Sequence, residues 1–472
     1  MSRRLLLLPA LFLGGCAVGP SYHRPDPGAP AVTRGQAAPE SASLADLGWW
    51  DLYHDPALDT LVRASLTGGF DARIAAARVQ QARALALEAR GQLFPGIGYA
   101  GNADRGRNTI LGNPSPAGTG TTGNGFDGYL AATWEFDLWG RVRRLDEAAR
   151  DQYLATGQAQ RGVWLSLVTE TASDYFDLRE LDEELAVTRD ASNAFGESLR
   201  LFDQRLRGGI ASRLETASAQ AAQAAEAAQV PLVERAIAVQ ENALSVLLGR
   251  NPGPIDRGAA LSAPAAPPQI PAGLPSDLLE RRPDVKAAEY AAMATNAQIG
   301  ATIGGFLPRI GLSAIFGGVS PRLQDLTSRK AEVWNVGASV TGPLFQAGTL
   351  HGEYLQAKAA WELAKLQYEQ TALGAFADVA DALVTREKLE QSRLEQEREV
   401  AAYQEAVKVA TERYKAGEAG YFELLQAQEQ LYPAEITLAR TRRDELVSVI
   451  DLYKALGGGW NLKDAAAWSG SR

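Results

Sequence analysis

Residues 178–209 read LRELDEELAVTRDASNAFGESLRLFDQRLRGG, and this stretch contains the pattern that decides the fold. Apolar and small residues recur at alternating steps of three and four, at positions 178, 181, 185, 188, 192, 195, 199, 202 and 206. This spacing is typical of a helix that packs along one seam, as in a coiled coil. Gly208 and Gly209 end the pattern, and glycine favours the turn after a helix. The stretch therefore predicts a long helix that turns back.

A second stretch of the same design follows later in the chain. Its apolar positions are 400, 403, 407, 410 and 414, and it ends at Gly417 and Gly420. Two copies of one pattern indicate an internally duplicated chain. We predict that each glycine break is the tip of a helical hairpin.

The composition excludes several classes of function. The chain has 472 residues, a formal net charge of −9, one cysteine and three histidines. An acidic balance argues against a nucleic-acid partner, which requires basic patches. No nucleophile elbow, phosphate loop or metal-spaced cluster accompanies His23, His54 and His351. The nearest catalytic candidates, Glu183 and Glu184, are interpreted as a solvated helix face. We predict that the protein is not an enzyme and has no metal site or cofactor.

The N-terminus predicts export and lipid attachment. Residues 1–15 contain Arg3-Arg4, an apolar run at 5–13 and a glycine pair, as in a signal peptide. The run is too short to span a bilayer as a helix. Cys16 follows directly in a context that resembles a lipobox, so we predict that it is acylated and anchors the chain to outer-membrane lipid. The alternative is a chance cysteine near a cleavage site.

Two regions change from a helical to an alternating pattern. After Pro95, positions 97, 99, 101 and 103 share one face, and positions 130, 132, 134, 136 and 138 form a matching apolar face. The same module recurs after Pro308 at positions 310, 312, 314 and 316 and at 336, 338 and 340. Strands of about ten residues suffice to cross a membrane when tilted. We predict transmembrane β-hairpins at about 96–139 and 309–345; ordinary soluble hairpins are the alternative.

The acidic side of the first hairpin carries Glu135 and Asp137, which hint at a preference for cations inside a pore. The second hairpin has Thr341 and Pro343 at the corresponding positions, which weakens this hint.

The elements combine into a predicted domain layout. A signal peptide (1–15) and a lipidated tether (16–56) precede a first repeat at 57–250, whose hairpin tip lies at about 207–212. A proline-rich linker at 251–275 leads to a second repeat at 276–457 with its tip at about 416–421, and 458–472 form a C-terminal tail. One helix is expected from Asp55 to about Leu93, and kinks are expected at Pro231 and Pro433.

Four strands cannot close a barrel, and unpaired strand edges are not tolerated in lipid. Two copies would give a barrel of about eight strands, whose interior is filled by side chains, so an open conduit needs at least three copies. The predicted fold class is mainly α with transmembrane β. It consists of a trimeric 12-stranded β-barrel, with four strands per chain, continued by a long periplasmic α-helical barrel and internally duplicated.

Short motifs stand along nearly the whole mature chain. They are Cys16-Ala17-Val18-Gly19-Pro20 with Tyr22 and Pro25, Trp49-Trp50 with Asp55-Pro56, Arg281-Arg282-Pro283-Asp284-Val285 with Ala287-Ala288-Glu289, Arg413-Tyr414 with Gly417, Tyr421, Leu424-Leu425 and Ala427-Gln428, and YKALGGGW at 453–460. Together they resemble the outer-membrane efflux factor family, the TolC-like channels, in the lipoprotein branch that serves resistance-nodulation-division efflux systems.

The resemblance implies a homotrimeric outer-membrane channel that exports small molecules. It also implies a periplasmic adaptor protein and an inner-membrane pump as partners, with the pore closed at the periplasmic tip. A channel for protein secretion shares this fold and remains an alternative. A structural envelope rod would explain the heptads but not the strand pairs.

The same resemblance places the pore-closing residues at the two tips. Related lipoproteins often carry an acidic residue where this chain has Ala419, so only Glu418 and its neighbourhood are assigned to the constriction. Ion pairs between the hairpins are expected among the tip charges. The candidates are Arg205, Arg207, Gly208, Gly209, Arg213, Glu215, Arg413, Lys415, Gly417, Glu418, Gly420 and Glu423.

Overall fold

The structure is a computed structural model that describes residues 17–35, 43–49, 52–107, 109–110, 113–114, 122–210, 212–258, 260–261, 273 and 275–458. The predicted signal peptide and Cys16 lie outside the described residues, as does the tail beyond residue 458. The chain divides into two compact units. The first comprises residues 1–25, 78–157 and 287–369, and the second comprises 26–77, 158–286 and 370–472.

The first unit contains the predicted strands as one antiparallel sheet. Its strands lie in the order β1-β4-β5-β6, and a two-stranded ladder, β2-β3, stands apart. The bounds are β1 Gly96–Arg107, β2 Thr109–Ile110, β3 Asn113–Pro114, β4 Thr122–Phe136, β5 Arg309–Ser320 and β6 Glu332–Thr341. In the four-stranded sheet, β1 and β6 therefore form the two edges.

The register aligns the predicted apolar faces. Tyr99 of β1 lies opposite Leu130 of β4, Leu130 opposite Phe316 of β5, and Phe316 opposite Trp334 of β6. Alternate residues of a strand point to the same face, so the row continues into an apolar surface on one side of the sheet. The opposite side is mixed: Asn102 donates to Asp127 over 2.9 Å there, and Ile315 and Val333 share this side.

Eight α-helices are assigned in the described chain. They are α1 Pro56–Gly68, α2 Phe70–Gly91, α3 Arg141–Arg207, α4 Arg213–Leu247, α5 Leu278–Arg281, α6 Pro283–Gly305, α7 Thr349–Ala416 and α8 Tyr421–Ala455. The order of a helix, a strand pair, a long helix and a return helix occurs twice, which confirms the predicted duplication. Among the described residues, none of the helices combines the length and the apolar composition needed to cross a membrane.

The single helix predicted from Asp55 to Leu93 was wrong, because the chain breaks at Gly69 into α1 and α2. A Cβ atom on Gly69 would lie 2.3 Å from the carbonyl oxygen of Ser65 and 2.9 Å from that of Leu247. Only glycine permits this approach of α1 to the end of α4. The predicted cap at Asp55 is confirmed, since its carboxylate accepts from the backbone N–H groups of Ala57 and Leu58.

The second unit has a continuous apolar core where its helices meet. Val62, Leu178, Leu244 and Ile450 are almost fully buried there, from four different helices. A buried Tyr175 hydroxyl lies beside this core; it donates to the Asp55 carboxylate over 2.7 Å and accepts from the Arg179 guanidinium and the Gly258 N–H, each at 2.9 Å. This network holds the start of α1 against α3.

Both return helices contain the predicted interior proline. Helix α4 continues through Pro231, and α8 continues through Pro433. The backbone therefore remains helical at both positions, and the kinks stay a prediction.

Candidate functional site

The first tip is the turn between α3 and α4. Helix α3 ends at Arg207, and Gly209 adopts the left-handed conformation with φ of +75°. Ser212 then caps α4: its hydroxyl accepts from the Glu215 N–H over 3.2 Å, and the Glu215 carboxylate accepts from the Ser212 N–H over 2.7 Å. Glu215 is thus occupied in a capping box, which stabilises the start of α4.

The second tip is the turn between α7 and α8. Gly417 has φ of +77°, and Gly420 precedes the first residue of α8. Arg413 spans this turn, because its guanidinium lies 3.0 Å from the Glu423 carboxylate and 3.4 Å from the Glu418 carbonyl oxygen. The Glu418 side chain is exposed.

Arg205 joins the two tips within the second unit. Its Nη2 donates to the carbonyl oxygen of Tyr414 over 3.2 Å, and its guanidinium carbon lies 4.2 Å from the centroid of the Tyr414 ring. A cation over an aromatic face is attractive. Burial raises the pKa of the Tyr414 hydroxyl, although Arg205 partly opposes this effect. Arg205 therefore connects the end of α3 to the end of α7.

An aromatic cluster lies beneath this contact. The Phe202 ring is fully buried, with its centroid 5.3 Å from that of Tyr414 and 4.3 Å from that of Tyr421. Both pairs have edge-to-face geometry, which is favourable for aromatic rings. Burial raises the pKa of Tyr421 to about 12. Phe195 and Phe202 were both predicted as seam positions, and both are buried.

Ion pairs between the hairpins were expected, but in the described chain the ion pairs of the tip charges lie within a hairpin. Arg413 pairs with Glu423 inside the second hairpin, and Arg207 pairs with Asp203 one turn earlier on α3, over 2.6 Å. Arg213 and Lys415 are exposed. The tip charge that contacts the other hairpin is Arg205, which lies over the Tyr414 ring. The assignment of pore closure to these tip residues stays a prediction.

A charged ladder between α3 and α8 was missed by the sequence analysis. Arg440 lies 3.4 Å from the Glu180 carboxylate and 3.0 Å from that of Glu184, while Arg442 lies 3.7 Å from Glu183. Arg443 also pairs with Asp177 of α3. The interpretation of Glu183 and Glu184 as a solvated face was therefore wrong. The spacing of acids at 177, 180 and 184 on α3 could have indicated a basic partner helix.

Burial alters the protonation of this ladder. The Glu180 side chain is only 7 % exposed. Burial, followed by the neighbouring Glu184 carboxylate, raises the pKa of Glu180 to about 7, against the opposing effect of Arg440.

The acids on the polar side of the first hairpin are neutralised locally. Arg141 contacts both carboxylate oxygens of Glu135, at 3.0 and 2.7 Å, and Arg143 lies 3.3 Å from the Asp137 carboxylate. Both arginines belong to the first turn of α3. Because each acid has a cationic partner, the charge of Glu135 and Asp137 does not support the hinted preference for cations.

The family model for outer membrane efflux proteins matches residues 61–250 and 274–458. The chain belongs to this family. The two matched ranges overlap the two repeats, and the family membership agrees with the resemblance carried by the sequence motifs.

Relatives and solved structures match along most of the chain. The antibiotic efflux pump outer membrane protein ArpC of Pseudomonas putida is 34% identical over 471 residues, covering 98% of this chain and 96% of ArpC. The cation efflux system protein CusC of Escherichia coli is 30% identical over 461 residues, covering 96% of this chain and 98% of CusC. The outer-membrane channel OprN has a TM-score of 0.87 and 30% identity, covering 94% of this chain and 100% of OprN.

These matches confirm the predicted fold class and function. The chain is an outer-membrane channel component of an efflux system, and its family is one of channels, not enzymes. The relatives are named for efflux, so neither the secretion channel nor the envelope rod is supported.

Proposed function

We propose that three copies of this efflux protein close a single twelve-stranded barrel, and that the paired helical tips of each copy close its periplasmic end. The observation that carries the proposal is the sheet: within the described chain its four strands leave β1 and β6 as open edges. Open edges cannot remain in lipid, and β1 of one copy can pair with β6 of the next. Three copies supply enough strands for an open lumen.

The channel then works with a periplasmic adaptor and an inner-membrane pump. No chemistry occurs in a passive conduit, so the pump must supply the energy for export. The names of ArpC and CusC, which specify antibiotics and cations, support export of small molecules and ions as a class. The pump and adaptor select among them.

The proposed lipid anchor is supported by how the next residues are held. The Val18 N–H donates to the Trp139 carbonyl over 2.9 Å, and the Arg144 guanidinium donates to the Val18 carbonyl over 3.2 Å. The Asn296 amide donates to the Pro20 carbonyl over 3.2 Å. These contacts hold Val18 beside the start of α3 and Pro20 beside α6, so the residues that follow Cys16 lie near the end of the sheet from which α3 begins.

We expect Cys16→Ser to abolish acylation, because the thiol is the acceptor of the lipid. Mass spectrometry of the mature N-terminal peptide should show the loss of diacylglycerol and acyl mass. Ser21→Ala is a matched control, since Ser21 is exposed and the substitution leaves the cysteine in place. Acylation of the serine variant, or its absence from the wild type, would contradict the anchor.

The trimer is tested by cross-linking β1 to β6. Three strand spacings of about 4.8 Å separate these edges within one sheet, whereas a disulfide needs Cα atoms within about 7 Å. A link between them therefore joins two copies. We expect Tyr99→Cys, combined with single cysteines scanned from Val333→Cys to Ala338→Cys, to give covalent trimers in one register.

Denaturing electrophoresis without reductant provides the measurement, and each single-cysteine variant provides the control. Bands that stop at dimers, or a ladder that continues beyond three chains, would be incompatible with a closed three-copy barrel.

A further inference from the structure

One face of the four-stranded sheet is an exposed apolar band. Its central row consists of Tyr99, Leu130, Phe316 and Trp334, which are 90%, 56%, 59% and 70% exposed in the single chain. Ile97, Val336 and Val340 extend the row on the same face. In an outer-membrane barrel such a band faces the lipid.

The loop between β5 and β6 folds down onto this same face. A Cβ atom on Gly318 would lie 2.1 Å from the Leu326 carbonyl oxygen, and one on Gly128 would lie 3.6 Å from Leu326 Cδ2. Gly128 and Gly318 are opposite each other and are two residues from Leu130 and Phe316, so they share the lipid-facing side. The loop therefore packs against the outside of the sheet at the end of the apolar band.

This loop is amphipathic and basic. Residues 321–331 carry Arg322, Arg329 and Lys330 against a single acid, Asp325. Arg322 lies 3.1 Å from Asp325, yet its side chain remains 73% exposed. Leu323, in the same loop, is 64% exposed. Cationic and apolar side chains are thus presented side by side.

The first strand adds charge at the same end of the sheet. Arg105 and Arg107 have the same parity as Tyr99 on β1, so they share its face beyond the apolar row. Their register partners, Asn124 and Thr122 of β4, are uncharged. The apolar band is therefore bordered by basic residues on two elements.

The position of the loop indicates which leaflet of the membrane, and therefore which lipid, it faces. The β1–β4 and β5–β6 connections lie at one end of the sheet, whereas α3 follows β4 at the other end. In the proposed channel, on which this inference rests, the helices extend into the periplasm, so the loops face the outer leaflet. We propose that residues 321–331, together with Arg105 and Arg107, form a binding surface for the phosphate groups of the outer-leaflet glycolipid.

Both the basic and the apolar side chains of this surface match a phosphorylated glycolipid. Phosphate groups accept charge-assisted hydrogen bonds from guanidinium and ammonium groups. The adjacent apolar side chains, including Leu323 and Trp334, match acyl chains just below the headgroup. A neutral or zwitterionic headgroup would leave the cluster of positive charges without a partner.

Binding of purified full-length protein to lipid A tests the surface. Diphosphoryl lipid A and its dephosphorylated form are titrated in detergent micelles, with native mass spectrometry as the readout. We expect Arg322→Gln/Arg329→Gln/Lys330→Gln to weaken binding of the diphosphoryl form by about tenfold or more, since three charge-assisted contacts are lost. Arg105→Gln/Arg107→Gln should weaken it in the same direction.

The control removes the same charge from α7. Lys388→Gln/Arg398→Gln/Lys408→Gln replaces side chains that are 61%, 75% and 64% exposed. It should bind diphosphoryl lipid A within about twofold of the wild type, because exposed pairs on a helix contribute little to the fold. Wild-type affinity in the loop variant, or equal binding of dephosphorylated lipid A, would overturn the proposal. Covalent trimer formation, tested separately, shows whether the proposed barrel also fails.

Discussion

Arg282→Gln is expected to lower the free energy of unfolding by about 2–3 kcal/mol, because a buried carbonyl and two carboxylates lose their shared donor. The guanidinium donates to the Ala455 carbonyl over 3.0 Å, and its Nη2 lies 2.6 Å from Asp284 and 2.9 Å from Asp378. The Arg282 side chain is 11% exposed, but the two aspartates are 48% and 56% exposed. Solvent screens those carboxylates, so the lost pairs contribute less than a fully buried triad would.

The matched control is the neighbouring Arg281→Gln. Arg281 pairs with Asp46 over 2.7 Å, with side chains 32% and 47% exposed, so its removal should cost less than about 1 kcal/mol. Urea unfolding of the purified protein, followed by tryptophan fluorescence, measures both. Equal losses in the two variants would show that the contacts of Arg282 do not stabilise the fold.

The pair of Arg282 and Asp284 makes the stability of the fold depend on pH, and the direction of that dependence can be derived. Burial acts to raise the pKa of Asp284, but the hydrogen bonds from Arg282 outweigh it and lower the pKa below the ordinary value of 3.8. A carboxyl group whose pKa is lower in the folded state stabilises the fold at any pH above its unfolded-state pKa. This stabilisation is lost as the pH falls through the folded-state pKa. The difference between wild type and Arg282→Gln should therefore shrink below about pH 4.

Local patterns predicted most of the elements. The end of α3 was predicted because the three-four spacing that starts at Leu178 stops at Gly208, and the structure ends this helix at Arg207. The strands followed from alternation, which depends only on neighbouring residues. The break at Gly69 was missed because its cause, the end of α4 at Leu247, is distant in the sequence.

Contacts between distant elements account for the remaining misses. Glu183 has a charge that is readable in the sequence, but its partner, Arg442, becomes a neighbour only once α8 docks on α3. The glycines similarly located each tip in the sequence, but they did not predict the contacts made there. Arg205 and Tyr414 are 209 positions apart, and no periodicity relates a cation on one helix to a ring on another.

Arg205→Gln is expected to raise the open probability of reconstituted channels roughly 30-fold, since a loss of about 2 kcal/mol shifts a two-state equilibrium by that factor. The estimate combines a partly buried cation–π contact with one charge-assisted hydrogen bond, each about 1 kcal/mol. Both contacts join α3 to Tyr414 at the end of α7. If closure requires the two tips to stay together, removing their contact favours the separated state. Single-channel recording in planar bilayers measures the change.

Arg207→Gln provides the control for charge, because it removes one arginine two positions away. Arg207 is 80% exposed and pairs with Asp203 on its own helix, so this ion pair lies within one hairpin. The open probability of the Arg207→Gln channel should remain near that of the wild type. Arg205→Lys keeps the cation but loses the planar donor group, so its open probability should lie between those of Arg207→Gln and Arg205→Gln. An unchanged open probability in Arg205→Gln, with trimers intact, would mean that the tips are held by Phe202 and its aromatic neighbours instead.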